Sequence, residues 1–126
     1  MSPPIYTITQ QGDVLIAALN RDVGNFAEAE ILRETKGLIE RLKALSVVGV
    51  VVDFEHAEYF GSTMLEGLRL LWTSLRTANR RMVLCRVSEI GREILQVAHF
   101  DTVWPICDTL EAALREMSGS PGGQSP

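Results

Sequence analysis

The stretch VVGVVVDFEHAEYFGSTMLEGLRLLWTSL, from Val47 to Leu75, decides the fold of this chain. The nearly continuous β-branched run from Val47 to Asp53 is typical of a strand covered on both faces in a parallel sheet, so we expect it to be the central strand. A short polar loop follows, and Ser62 and Thr63 then open a helix. The apolar residues on one side of that helix are Leu65, Leu68, Leu71, Trp72 and Leu75.

The flanking segments continue this alternation of strands and helices. Two β-prone runs, 5–11 and 14–19, are separated by Gly12-Asp13 and predict a hairpin. The chain therefore predicts an α/β fold, a mixed β-sheet of four to five strands with an N-terminal hairpin, covered by about four α-helices. The later predicted elements are a helix N-capped by Asn25, an Ala78-Asn79 end for the helix after Gly61, a strand Met82–Val87, a helix from Ser88 to about Ala98, a strand Val103–Ile106, and a last helix with a capping box over Asp108–Glu111.

The length of the chain predicts one domain. Its 126 residues are enough for a single ordinary core, which we place in residues 1–117. Residues 118–126, SGSPGGQSP, have the composition of a disordered tail. The residues predicted to lie in the core are Val50, Val52, Leu65, Leu68 and Leu84.

Composition and charge exclude several classes of protein. The apolar runs are strand-sized, so we expect no membrane span. The N-terminus lacks the basic start and apolar stretch of a secretory signal, which favours a cytoplasmic location. A net charge of −4 and a pI near 5.1 argue against a nucleic-acid binder, which would carry a basic face. Small molecules or proteins are the expected partners.

The residue types that usually carry chemistry do not form a catalytic or metal-binding pattern. Cys85 and Cys107 lie in apolar segments and are expected to be buried. His56, in a polar loop, and His99, at a helix end, lack a Ser, Cys or carboxylate arrangement that would make either a catalytic base. Asp53 ends a strand, but a phosphoreceiver would need further carboxylates after the first strand, which has none, so Asp53 is expected to cap the following loop. We expect no enzyme activity, cofactor or metal.

Four segments taken together resemble a known family. They are the strand VVGVVVDF, the turn YFGSTML, the strand and helix RMVLCRVSEIGREIL, and the ending HFDTVWPICDTLEAAL. In their order and spacing, over Ile5 to Met117, the chain resembles the STAS domain family, which includes anti-sigma factor antagonists and the cytoplasmic domains of sulphate transporters. The resemblance implies a small bacterial regulatory protein that works by binding another protein.

The resemblance also implies a phosphorylation site. In the antagonist branch the turn typically reads Asp-Ser-Ser/Thr-Gly-Leu, and the first hydroxyl residue is the phosphoacceptor. Ser62 matches that position, Thr63 is the alternative acceptor, and Leu65 matches the leucine. Gly61 stands where the family has Asp, and Met64 stands where it has Gly.

The same resemblance implies the partner and its contact surface. The partner would be an anti-sigma factor that is also a serine kinase, with a phosphatase reversing the reaction. Asp22 matches an acidic position that lies near the acceptor in the family. An exposed Met64 would add a flexible apolar contact. The residues predicted to bind the partner are Asp22, Gly61, Ser62, Thr63 and Met64.

Two alternatives remain open from the sequence. Ser62 could serve only as a helix N-cap, worth about 1 kcal/mol, or Thr63 could be the N-cap, since Thr63 and Glu66 have capping-box spacing. The whole chain could be a non-phosphorylated adaptor or scaffold subunit of a signalling or transporter assembly. Trp72 and Trp104 are expected to pack in or at the rim of the core, where either could also anchor an interface.

Overall fold

A computed structural model of the chain describes residues 4–22 and 28–118. Within these ranges the chain alternates strands and helices after an initial pair of strands, as predicted. The elements are β1 (Tyr6–Gln11), β2 (Val14–Leu19), α1 (Glu28–Lys43), β3 (Gly49–Asp53), α2 (Ser62–Thr77), β4 (Arg81–Cys85), α3 (Glu89–Val97), β5 (Ile106–Cys107) and α4 (Leu110–Met117).

The five strands form one mixed sheet in the order β1-β2-β3-β4-β5. β1 and β2 pair antiparallel around a turn in which Gly12 has φ of 62°, a left-handed conformation that glycine adopts without strain. The other neighbouring strands are parallel. β3 therefore lies at the centre of the sheet, which confirms the predicted hairpin and central strand, although β3 begins at Gly49 rather than Val47.

Both faces of β3 are covered, which explains its unbroken apolar sequence. On one face, Val50 and Val52 join the larger core cluster, to which α1, α2 and α3 contribute buried residues. On the other face, Val51 packs with Ala113 and Met117 of α4. Of the predicted core residues, Val50, Val52, Leu68 and Leu84 are buried, and Leu65 is half-buried against the same cluster.

The helix caps are largely those that the sequence predicts. The Ser88 hydroxyl accepts a hydrogen bond from the Gly91 N–H at 2.9 Å and caps α3. Asn79 adopts φ of 58° after α2, as expected of a left-handed cap. The capping box over Asp108–Glu111 is wrong, because Thr109 is the N-cap of α4 and accepts from the backbone N–H three residues on.

The last strand is displaced from its predicted position. It covers Ile106–Cys107 rather than Val103–Ile106. The reason is packing of aromatic rings, since the Trp104 ring stacks on Phe100 at 4.8 Å and the chain turns there before it pairs with β4. The predicted cap at Asn25 and, except for Ser118, the predicted tail 118–126 lie outside the described residues.

The helices of the described residues are amphipathic or short. Across residues 4–22 and 28–118, none of them has the combination of length and apolarity that crossing a membrane requires.

Two glycines offer a matched test of how closely β3 is packed. A Cβ on Gly49 would lie 2.3 Å from the Arg81 carbonyl oxygen, so we expect Gly49→Ala to lower the free energy of unfolding by about 1–3 kcal/mol or more. Gly37, inside α1, has no described atom within 4 Å of such a Cβ, and Gly37→Ala should raise stability by about 0.5–1 kcal/mol. Urea denaturation measures both, and equal midpoints for Gly49→Ala and wild type would contradict this packing.

Candidate functional site

The candidate site lies where the parallel strands end. β2, β3 and β4 run in the same direction, so the loops that follow them meet at one edge of the sheet. The central loop of this edge, residues 54–61, is called here the β3–α2 loop. Asp22 follows β2, and Ser88 follows β4. The predicted site residues Asp22 and Gly61 to Met64 therefore all belong to this edge.

The β3–α2 loop is anchored from inside by apolar side chains. Phe54, Ala57 and Phe60 are each about 1% exposed, and the two phenylalanine rings pack with their centroids 5.1 Å apart. Glu58 and Tyr59, between these anchors, are exposed. The loop is thus a packed element with a defined outer surface.

Asp22 holds the backbone of this loop. Its Oδ1 accepts hydrogen bonds from the N–H of Glu58 at 2.7 Å and of Tyr59 at 3.2 Å. On the opposite side, the Ser88 hydroxyl donates to the Glu58 carbonyl oxygen at 2.7 Å. The two neighbouring loops therefore fix the segment just before α2, and the sequence analysis did not anticipate the part of Ser88.

Asp53 and Arg86 connect the ends of β3 and β4. The Asp53 carboxylate, 5% exposed as a residue, accepts two hydrogen bonds from Arg86, from Nη2 at 2.6 Å and from Nε at 3.1 Å. It also accepts the Glu55 N–H at 3.1 Å, while Arg86 reaches the Glu55 carboxylate at 2.7 Å. Hydrogen bonding to Asp53 raises the pKa of Arg86. Asp53 is confirmed as a strand-end residue that caps the loop.

The start of α2 differs from both capping alternatives. Gly61 is the N-cap, in an extended conformation, and its carbonyl accepts the N–H groups of Met64 and Leu65 at 3.1 and 3.2 Å. Ser62 is the first helical residue and is exposed, and Thr63 is the second and half-buried. Capping by Ser62 or by Thr63 is therefore wrong, and the Ser62 hydroxyl takes no part in holding the helix.

The N-terminus of α2 also carries little compensating charge. Among the described residues no side chain caps it, and its first turn contains no acidic residue. Glu66 forms an ion pair with Arg69 instead of reaching back to the cap. The N-caps of α3 and α4, by contrast, are the hydroxyl residues Ser88 and Thr109. The partial positive charge of the α2 N-terminus is thus open to an anion.

The expectation of an exposed Met64 is wrong. Its side chain is 0% exposed and lies in the core with Leu68, Leu71 and Leu75. These residues follow each other at helical spacing of four, three and four, so Met64 extends the buried stripe of α2 by one turn toward its start. That spacing was the signal in the sequence, and the apparent contact residue is a core residue.

The remaining reactive side chains do not form a second site. Burial raises the pKa of the Cys85 thiol to about 12, which leaves it protonated at neutral pH. Cys107 was expected to be buried and is half-buried. His56 is exposed beside Glu55, and His99 is exposed after α3. Within residues 4–22 and 28–118 no cluster of metal-binding side chains occurs.

The two tryptophans pack as expected. Trp104 is 2% exposed, and Trp72 packs half-buried against its edge with ring centroids 6.1 Å apart. The exposed apolar residues at the site are instead Tyr59 and Ile90, which are 47% and 45% exposed. The sequence analysis missed both, because Tyr59 lies in a loop without periodicity and Ile90 is an apolar residue at the exposed start of α3.

Comparison with known proteins agrees with this fold. The family model of the STAS domain matches residues 6–113, which is most of the chain. The chain belongs to the STAS domain family. The match begins in β1 and ends within α4, so this STAS domain contains the whole sheet and the candidate site.

Relatives of this STAS domain include anti-sigma factor antagonists. BtrV of Bordetella bronchiseptica, which is named as an anti-sigma factor antagonist, is 30% identical over 64 residues, or 51% of this chain and 55% of its own length. The match thus spans about half of that relative. An anti-sigma factor antagonist (STAS) domain protein from Planctomyces limnophilus is 26% identical, with a TM-score of 0.79 over 90% of this chain and 98% of its own.

The fold is also that of the anti-sigma factor antagonist SpoIIAA. Its unphosphorylated form superposes with a TM-score of 0.77 at 15% identity, over 91% of this chain and 97% of its own. The phosphorylated form of SpoIIAA from Bacillus gives a TM-score of 0.65 at 16% identity, over 87% of this chain and 96% of its own. At these identities the likeness establishes the fold.

Met64 provides a test of the corrected helix face. Met64→Glu would bury a carboxylate in the core, so we expect it to lower the free energy of unfolding by more than about 3 kcal/mol. Met64→Leu keeps the volume and should cost less than about 1.5 kcal/mol. Both are measured by urea denaturation. Wild-type stability of the Met64→Glu protein would contradict the burial of Met64.

Asp22 should act as a brace for the β3–α2 loop. In Asp22→Ala the N–H groups of Glu58 and Tyr59 lose their acceptor, so their hydrogen exchange should become faster by about tenfold or more, which corresponds to about 1.4 kcal/mol. Asp22→Asn keeps an acceptor oxygen and should change exchange less. Amide exchange followed by NMR gives both values, and unchanged exchange at these two amides in Asp22→Ala would refute the brace.

Proposed function

We propose that this STAS domain is an anti-sigma factor antagonist-like regulatory protein of the cytoplasm. It binds an anti-sigma factor that is also a serine kinase, and phosphorylation of Ser62 at the start of α2 releases that partner. A phosphatase restores binding. The chain acts through association with proteins and catalyses no reaction of its own.

The observation that carries this proposal is the exposed hydroxyl of Ser62. A hydroxyl that neither caps its helix nor packs in the core is available to a kinase at no cost to the fold. It stands on a helix start whose neighbouring loop is fixed by Asp22 and Ser88. Thr63, the alternative acceptor, is half-buried, which makes Ser62 the better substrate.

The relatives support the same role. BtrV and the Planctomyces limnophilus protein are named as anti-sigma factor antagonists, and SpoIIAA has been solved with and without its phosphate. The proposal extends that role to this chain. Gly61 in place of the family aspartate leaves Asp22 as the acidic residue that braces the loop before the acceptor.

The physical effect of the phosphate would fall on the partner. A phosphoserine carries about −1.5 to −2 charges at pH 7. The helix N-terminus stabilises that charge by roughly 0.3–1 kcal/mol, so the domain keeps its fold. A partner in contact with Ser62, Gly61 and Thr63 would have to desolvate the phosphate oxygens, and binding would weaken.

Ser62 variants test the switch. The candidate serine kinase from the source genome is purified and incubated with wild type, Ser62→Ala and the control Ser46→Ala, whose serine is exposed before β3 at the other end of that strand. We expect wild type and Ser46→Ala to gain one phosphate by intact mass, and Ser62→Ala to gain none. After ATP, only Ser62→Ala should still bind the kinase.

Stability separates the switch from a structural role. Because Ser62 makes no capping hydrogen bond, Ser62→Ala should leave the free energy of unfolding within about 0.5 kcal/mol of wild type. Ser62→Asp should weaken kinase binding by about tenfold, or roughly 1.4 kcal/mol. Phosphate found on Ser62→Ala would move the acceptor to Thr63. Stable binding without any phosphorylation would support the adaptor alternative instead.

A further inference from the structure

Two acidic-apolar pairs lie side by side at the candidate site. Glu58-Tyr59 belongs to the β3–α2 loop, and Glu89-Ile90 opens α3. The two segments are joined by the hydrogen bond from the Ser88 hydroxyl to the Glu58 carbonyl. They are also closely packed, since a Cβ on Gly91 would lie 3.1 Å from Cε1 of Phe60.

The apolar members of these pairs face solvent. Tyr59 is 47% exposed and Ile90 is 45% exposed. The other large apolar residues that are exposed in the described ranges are Val48, just before β3, and Val97, in the last turn of α3. Those two lie away from the C-terminal edge of the sheet, whereas Tyr59 and Ile90 belong to two segments that the Ser88–Glu58 hydrogen bond joins at this edge. An apolar pair held on a braced surface is typical of the anchors of a protein interface.

The acidic members specify the charge of what binds there. Glu58 and Glu89 are exposed, and neither carboxylate forms an ion pair with a described residue. Charges at the rim of an interface mainly steer encounter and select a partner of opposite sign. An acidic rim around two apolar anchors is complementary to a recess lined by apolar groups and bordered by Lys or Arg.

From this arrangement we infer that Tyr59 and Ile90 are the apolar anchors for the protein partner, and that the partner presents an apolar recess with a basic rim. The inference rests on the proposed function. It assigns to Tyr59 and Ile90 the apolar contact with the partner that the buried Met64 cannot make. Ser62 follows Tyr59 by three residues, so its phosphate would lie beside the anchors, where desolvation is required. Glu58 and Glu89 are at the rim, where they stay hydrated.

The test measures binding of the purified serine kinase partner by calorimetry, in the absence of ATP. Tyr59→Ala and Ile90→Ala should each raise Kd by about tenfold or more, with melting temperatures close to wild type because both side chains are about half exposed. The matched controls Val48→Ala and Val97→Ala remove exposed apolar residues elsewhere and should leave Kd within about twofold.

Charge reversal tests the basic rim separately. Glu58→Lys and Glu89→Lys should slow association and reduce its dependence on salt. Faster association by these variants would overturn the assignment of a basic partner. Unchanged Kd in both Tyr59→Ala and Ile90→Ala, with wild type binding normally, would overturn the anchors while leaving the proposed function standing. Absence of wild-type binding would contradict the proposed function and this inference together.

A second copy of the chain is the competing occupant of this surface. Sedimentation of the purified protein distinguishes it. If wild type forms a dimer that Tyr59→Ala and Ile90→Ala dissociate, the surface is a self-interface and the inference is overturned. A monomer at the concentrations of the calorimetry, together with loss of kinase binding in both variants, supports it.

Discussion

Burial of β3 on both faces is the constraint on which the arrangement of this domain depends. All five residues of the strand are buried, including Asp53 at its end. One face requires the layer formed by α1, α2 and α3, and the other requires α4. Because the neighbouring strands β2 and β4 run parallel to β3, their following loops meet at one edge. Helices cover both faces of the sheet, so the carboxyl-terminal edge, where these loops meet, is left for the candidate site.

At this edge, polar side chains hold backbone rather than substrate. Asp22 accepts from two loop N–H groups, Ser88 donates to a loop carbonyl, and Asp53 binds Arg86 and the Glu55 N–H. A loop with satisfied polar groups and buried phenylalanines keeps one conformation. Under the proposed function this rigidity matters, because the kinase and the partner-binding surface would both find Ser62 in one fixed position. The acidic residues Asp22 and Asp53 of this edge thus have a structural role, which their residue type alone does not reveal.

α2 has a buried side and an exposed side, and only residues on the exposed side are accessible to another protein. Met64 and Leu68 fill the core while Ser62 faces solvent, although all three lie within two turns of one helix. The helix therefore links the core to the surface without making the surface residue necessary for stability. The exposed apolar side chains near this helix start belong instead to a neighbouring loop and helix, and the inferred partner contact would use Tyr59 and Ile90.

The sequence by itself determined the architecture and indicated a candidate phosphoacceptor. Two β-prone runs separated by Gly12-Asp13 identified the hairpin, and a β-branched run identified the central strand. Helical spacing identified α2, because that pattern follows from backbone geometry. The family resemblance supplied Ser62. Helical spacing also indicated that Met64, four residues before Leu68, is buried. That indication was overlooked because Met64 was expected to contact the partner. Only the tertiary structure decided that Gly61 caps α2, that Asp22 braces the β3–α2 loop, and that Ser88 joins the segments that carry Tyr59 and Ile90. The last two depend on hydrogen bonds between segments 30 or more residues apart, namely the Asp22 and Ser88 contacts to Glu58. No local pattern in a single sequence records such contacts.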